Sequence, residues 1–294
     1  MRRYAAIEFS WDSRPEDADI ERLMAAVDDG SLSGVEDQQL TWRAFFDTAR
    51  ARDRVLASLG PLPSHWQVRA VDVDDEGWAE RSQASIGPVR VGRLVVTPPW
   101  RLADPVAAEP GVDHVIVINP SMGFGTGHHA STRLSLSLLQ TVALDGRRVI
   151  DIGTGSGVLA LAARALGASG VDAVDNDADA LMSARENVRR NGADGDVRLI
   201  EADLGALVPA APTHDVVMAN LTGATLGRHA ADLAGLCRPG GTLVASGLET
   251  GEVESVTAAM TEAGWRLVSR AEEEGWVGLL FERTATSPTG SRDS

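Results

Sequence analysis

Lysine is missing altogether, and all 27 basic residues of this 294-residue chain are arginine. Without an ε-amine the protein cannot form a Schiff base of its own, and a phosphate loop has no lysine to complete it. Cysteine is nearly absent too. The single Cys237 rules out an internal disulfide and a thiolate metal cluster, and it suits a reducing compartment. No apolar run approaches the roughly 18 residues of a membrane-spanning helix. The opening MRRYAAIEFSWDSRPED turns acidic where a signal peptide stays apolar, so a cytoplasmic protein with no membrane partner is expected. Positive charge is scarce, with 42 acidic residues giving a net −15. A nucleic-acid partner needs clustered basic residues against its phosphates, so none is expected, whereas a basic protein is readily accommodated.

At 44% hydrophobic content the chain can bury one large core or two modest ones, and its rhythm predicts two. In residues 1–73, YAAIEF alternates as a strand, and Asp17 to Gly30 sets Ile20, Leu23, Met24 and Val27 on one helical face. Strands follow at Leu32 to Gln38 and Leu40 to Phe46, a helix at Ala49 to Leu59, and a strand at Gln67 to Val73. The order β, α, β, β, α, β is ferredoxin-like α+β. Residues 74–120, interrupted by Pro88, Pro98, Pro99, Pro105 and Pro110, read as a packed linker. From 121 to 283 strands alternate with helices, predicting an α/β domain with a mostly parallel sheet. Its strands are Arg148 to Ile152, Val171 to Asp175, Val197 to Glu201, Asp215 to Asn220 and Thr242 to Leu248, with a closing pair at Trp265 to Arg270 and Trp276 to Glu282. The helix Asp179 to Arg190 turns Leu181, Ala184 and Val188 inward. Residues 284–294 read as a disordered tail. A monomer is expected.

Two glycine-rich turns carry the chemistry. VIDIGTGSG, Val149 to Gly157, is a strand, a turn and the start of a helix, with Asp151 before the glycines Gly153, Gly155 and Gly157. A dinucleotide fingerprint needs its third glycine at position 158, where this chain has Val158, so a nicotinamide cofactor fits poorly. A second acid, Asp175, closes the next strand. This pattern resembles the class I methyltransferases, whose Rossmann-like fold binds S-adenosylmethionine. The resemblance implies that the glycine turn lies under the methionine part and that Asp175 accepts hydrogen bonds from the ribose hydroxyls.

The other turn, NPSMGFGTGHHASTRL, Asn119 to Leu134, together with VIDIGTGSGVLALAA, DVVMANL and EEEGWVGLLF, is similar in order and spacing to the PrmA-type ribosomal protein L11 methyltransferase family. That resemblance covers about Asp75 to Arg283. It implies a protein-lysine N-methyltransferase whose N-terminal module grips a basic substrate, ribosomal protein L11. Carried over by position, Thr132, Gly153, Asp175 and Asn220 match the cofactor contacts, and Phe124, Gly125, Thr126 and His128 fall in the turn closing over the pocket. Gly155 and Asp151 belong to the same glycine turn, and Asp203 stands where this fold class places a group near the adenine amine. Adjacent His128 and His129 diverge on a turn, so no metal is expected. Asn220 is the candidate catalytic residue. It is followed by Leu221, Thr222 and Gly223 rather than two prolines and an aromatic, which favours an aliphatic amine over a nucleobase. Small Thr222, Gly223 and Ala224 are expected to leave room for a nitrogen gaining methyl groups. The alternatives are the same build acting on another protein or a small amine, and a noncatalytic S-adenosylmethionine-binding protein.

Overall fold

The computed structural model describes residues 3–15, 17–27, 32–37, 40–46, 48–60, 62–63, 65–74, 86–120, 127–207 and 212–284. The chain divides into two compact units, Met1–Ile86 and Gly87–Ser294. Among the described residues no helix is long and apolar enough to cross a membrane.

The first unit runs β1 (Arg3–Trp11), α1 (Asp17–Val27), β2 (Leu32–Asp37), β3 (Thr41–Phe46), α2 (Ala49–Ser58) and β4 (Trp66–Asp74). Its antiparallel sheet has the order β2-β3-β1-β4, the ferredoxin-like arrangement that the pattern predicts. Alternation along β1 sends Ile7, Phe9 and Trp11 into one core with Trp42, Ala44 and Phe46 of β3. Leu23 and Val27 of α1 are buried there as expected, but Met24 is 36% exposed, so the inward face of α1 is narrower than its spacing suggested. On the other sheet face the register sets Glu8 opposite both Arg43 and Arg69, which donate to it at 2.7 and 2.8 Å. Burial alone would raise the Glu8 carboxyl, but the two guanidinium groups hold it below its ordinary value. Thr48 caps α2 by accepting from the Ala51 amide at 3.1 Å.

In the second unit the residues read as linker are structured from Gly87 onward. A small sheet of β5 (Val89–Val91), β6 (Leu94–Thr97) and β7 (His114–Val117) buries Leu94, Val96 and Ile116 against the main core. Prolines interrupt the segment between its strands but not within them, which is why the sequence concealed them. The masked positions within 74–120 and the tail beyond Thr284 lie outside the described residues.

The main sheet contains β8 (Arg148–Ile152), β9 (Gly170–Asp175), β10 (Val197–Glu201), β11 (His214–Asn220), β12 (Cys237–Glu249), β13 (Trp265–Glu273) and β14 (Trp276–Arg283). Its order is β10-β9-β8-β11-β12-β14-β13. The first five strands are parallel, and β14 runs antiparallel between β12 and β13. The helices are α3 (Ala130–Leu139), α4 (Val158–Ala165), α5 (Ala178–Arg190), α6 (Gly223–Arg228), α7 (Ala230–Leu236) and α8 (Val253–Glu262). Neighbouring residues on a strand serve opposite faces. Val149 and Val216 join α3 and α4 in one core, while Ile150 and Val217 join α6, α7 and α8 in the other. On α5, Leu181, Ala184 and Val188 are buried as the spacing predicts.

The amino edge of this sheet is closed by charge. Asp172 of β9 accepts two hydrogen bonds from Arg198, at 2.9 and 2.8 Å, and lies 3.0 Å from His214 Nε2. Burial would raise its carboxyl, but these partners bring it down to about 2. Beside it, Asp215 accepts from the Arg148 amide at 2.9 Å and from Arg238 at 3.0 Å.

Candidate active site

The carboxyl edge of the same strands is built differently. After β8 the chain turns through Gly153, whose φ of 71° is costly for any residue with a Cβ. The amides of Gly153 and Thr154 both donate to Val174 O at 2.9 Å, which ties the turn to β9. Asp175, at the end of β9, accepts from the Gly155 amide at 2.9 Å and the Asp177 amide at 3.1 Å. Each carboxylate oxygen keeps a lone pair for a further donor.

Asn187, fully buried on α5, links the two glycine-rich segments. Its Oδ1 accepts from the Asn119 amide at 2.8 Å, and its Nδ2 donates to Ser156 O at 2.9 Å. Of the turn that Asn119 opens, Phe124, Gly125 and Thr126 lie outside the described residues. The described part resumes at Gly127. His129 caps α3, its Nδ1 accepting from the Ser131 amide, and its ring meets Trp276 edge-on at 4.5 Å. Arg133 holds this corner together, donating to His128 O and to Glu273 at 2.7 Å, and pairing with Glu274 at 3.2 Å.

Two cavities open along this edge. The larger, about 250 Å³, is lined by Thr132, Gly155, Asn220 and Trp276 among others. The smaller, about 120 Å³, has Asp175 and Asp203 in its wall. Thus Thr132, Gly153, Gly155 and Asn220 are brought together in one cavity, and Asp175 and Asp203 in the other, with Gly153 lining both. Asn220 Nδ2 donates to Thr132 Oγ1 at 3.4 Å. Asp203 precedes a 3-10 turn without capping it, which leaves its exposed carboxylate available to a ligand.

Asp151 lines neither cavity. It is fully buried behind Thr154, whose hydroxyl donates to Oδ2 at 2.7 Å, while Oδ1 meets no donor at hydrogen-bonding geometry. Burial pushes its carboxyl up to about 7; the Thr154 hydroxyl and the Ala160 amide oppose the shift, and Asp175 adds to it. A buried acid short of partners suits a site that receives a cation.

Among the residues of this site that the sequence does not single out are Trp276, Ser131 and Gly247. Trp276 lies in the EEEGWVGLLF motif, where nothing local distinguishes it from a core tryptophan. Ser131 sits beside Thr132 in the wall. Gly247 carried no local signal, because the need for it is tertiary: a Cβ there would stand 2.6 Å from Leu221 O and 2.8 Å from Asn220 Oδ1, and φ is 87°. It lies in a bulge of β12 between Ala245 and Leu248. At Gly223 a Cβ would meet the Glu252 carboxylate at 2.6 Å. Of Thr222, Gly223 and Ala224, only Thr222 lines the larger cavity.

Comparison with known proteins agrees with this architecture. Residues 14–284 match the family described as "Ribosomal protein L11 methyltransferase (PrmA)". A ribosomal protein L11 methyltransferase of Symbiobacterium thermophilum is 40% identical over 247 residues, covering 84% of this chain and 76% of the relative. The Geobacter sulfurreducens protein of the same name is 38% identical, covering 87% and 86%. The solved structure of a ribosomal protein L11 methylase from Lactobacillus delbrueckii subsp. bulgaricus superposes with a TM-score of 0.62 at 26% identity, over 68% of this chain and all of that one.

Proposed function

Because the chain belongs to the ribosomal protein L11 methyltransferase family, we propose that it transfers methyl groups from S-adenosylmethionine to amino groups of ribosomal protein L11. The observation that carries the reading is the pair of cavities meeting over Gly153, one acid-walled and one closed by Asn220 and Trp276. The acid-walled cavity takes the nucleoside. Asp175 has lone pairs left for two ribose hydroxyls, and Asp203 faces the adenine amine. The larger cavity takes the methionine part and the acceptor amine, with Thr132, Gly153 and Gly155 holding the cofactor. Phe124, Gly125 and Thr126 are assigned to the covering turn. Asp151, half-titrated near neutrality, favours the cationic ligand electrostatically from behind Thr154.

When bound, the cofactor supplies an electrophilic methyl group on a sulfonium. The protein's task is to present an uncharged amine. Val158, Leu159, Leu221 and Trp276 in the cavity wall exclude water and disfavour the ammonium form, whose ordinary pKa is about 10.4. The Asn220 carboxamide oxygen then orients the nitrogen by accepting its N–H. Positioning of this kind supplies most of the acceleration, and no residue is needed as a strong base.

The N-terminal unit is assigned to gripping the substrate protein in the cytoplasm, where the −15 charge of the whole chain favours a basic partner. The test is to incubate the protein with S-adenosylmethionine and recombinant L11 and weigh the intact L11. Mass gains in whole methylene steps are expected, and none with Asp175→Ala. Cofactor binding without any gain in L11 mass would overturn the substrate assignment.

A further inference from the structure

The two cavities share only Gly153 and Leu221 in their walls. At that neck a methyl carbon of Leu221 stands 2.6 Å from where a Cβ on Gly153 would be, which places the isobutyl group in van der Waals contact with the glycine turn. A single ligand filling both cavities lies against both of these residues. The backbones on both sides are fixed. Gly153 donates to Val174 O at 2.9 Å, and Leu221 donates to Ser246 O at 2.9 Å. Gly247 packs so closely against Leu221 that a Cβ there would lie 2.9 Å from its nitrogen and 2.6 Å from its oxygen. What can move is the Leu221 side chain, which is half-buried at the start of a loop and packs only on the margin of the core.

On the S-adenosylmethionine assignment above, we infer that Leu221 is a side-chain gate between the nucleoside and methionine cavities. It must rotate off Gly153 before one cofactor molecule can span them. The rotated conformer is a fraction of the population, and the apparent association rate is reduced by that fraction. Leu221 thereby governs cofactor entry and product exit. This role differs from that of an ordinary contact residue, whose truncation accelerates dissociation and leaves association unchanged.

Stopped-flow binding of S-adenosylhomocysteine, read by tryptophan fluorescence because Trp276 lines the larger cavity, separates the two. For Leu221→Ala the association rate constant is expected to rise roughly threefold or more, as the closed conformer is removed. For Leu221→Phe it is expected to fall by a similar factor, so the inference does not rest on one variant folding. Association within twofold of wild type in either folded variant, with dissociation alone altered, would overturn the gate and leave the functional assignment standing. Wild-type protein that binds no S-adenosylhomocysteine would overturn both.

Discussion

Asp172 and Asp175 lie three residues apart on one strand, at opposite edges of one sheet, and their surroundings are opposites. At the amino edge Asp172 is saturated by Arg198 and His214, and its carboxyl is held down to about 2. At the carboxyl edge, among the described residues, Asp175 takes its two hydrogen bonds from backbone amides, and nearby Asp151 keeps one oxygen without a donor and a carboxyl raised to about 7. Charge that serves the fold is neutralised by the fold. On the proposed function, charge that serves the cofactor is left short of partners until the ligand supplies them.

The sharpest way to break the comparison is at the saturated end. Asp172→Ala leaves His214 buried and Arg198 without its bidentate acceptor, and is expected to cost about 2 kcal/mol of stability, read by chemical denaturation, with S-adenosylhomocysteine affinity unchanged. Because the folded carboxyl is depressed below its ordinary 3.8, the stabilisation is present above that pH and is lost as pH falls toward 2. A large loss of cofactor affinity in this variant would erase the division of labour between the edges.

At the carboxyl edge Gly247→Ala should act on function first. The added methyl pushes against Leu221 O and Asn220 Oδ1, and kcat/KM is expected to fall about tenfold, roughly 1.4 kcal/mol of transition-state stabilisation. Unchanged kinetics would mean that the Asn220 position is less constrained than its contacts indicate.

The smallest effect is expected at Asp151. Its folded carboxyl lies above the unfolded value, so below pH 4 both states are protonated and no penalty exists. The penalty grows between pH 4 and 7 and is complete above. Asp151→Asn keeps an acceptor for Thr154 and is expected to be more stable than wild type by about 1 kcal/mol at pH 8, with no gain at pH 4, part of the benefit being offset by its own unsatisfied amide. Equal differences at both pH values would show that Asp151 is not the titrating group.

The sequence was most legible where periodicity is strong and local. Every strand of the parallel sheet and the βαββαβ order of the N-terminal unit followed from alternation, helical spacing and turn residues. Asp175 ends its strand and lines a cavity because that place is set by chain order. What could not be read are relations between distant segments. The short strands β5 to β7 hide among prolines that fall between them. Gly247 is required by Asn220 and Leu221, a strand away, and Gly223 by Glu252, so composition alone cannot distinguish a glycine that makes room for substrate from one that makes room for a carboxylate. Met24 fits the helical stripe in spacing yet lies at its exposed margin.

The reversed strand β14 has a consequence for the making of this enzyme. Parallel strands reach the carboxyl edge as they end, but β14 starts there, so Trp276 closes a cavity whose other walls were laid down between His129 and Gly247. A nascent chain that has emerged only through β12 already holds the glycine turn, Asp175, Asp203 and Asn220, yet lacks the aromatic wall against which His129 rests. Translation therefore completes the pocket only once β14 has emerged, well after the strands that carry its other walls.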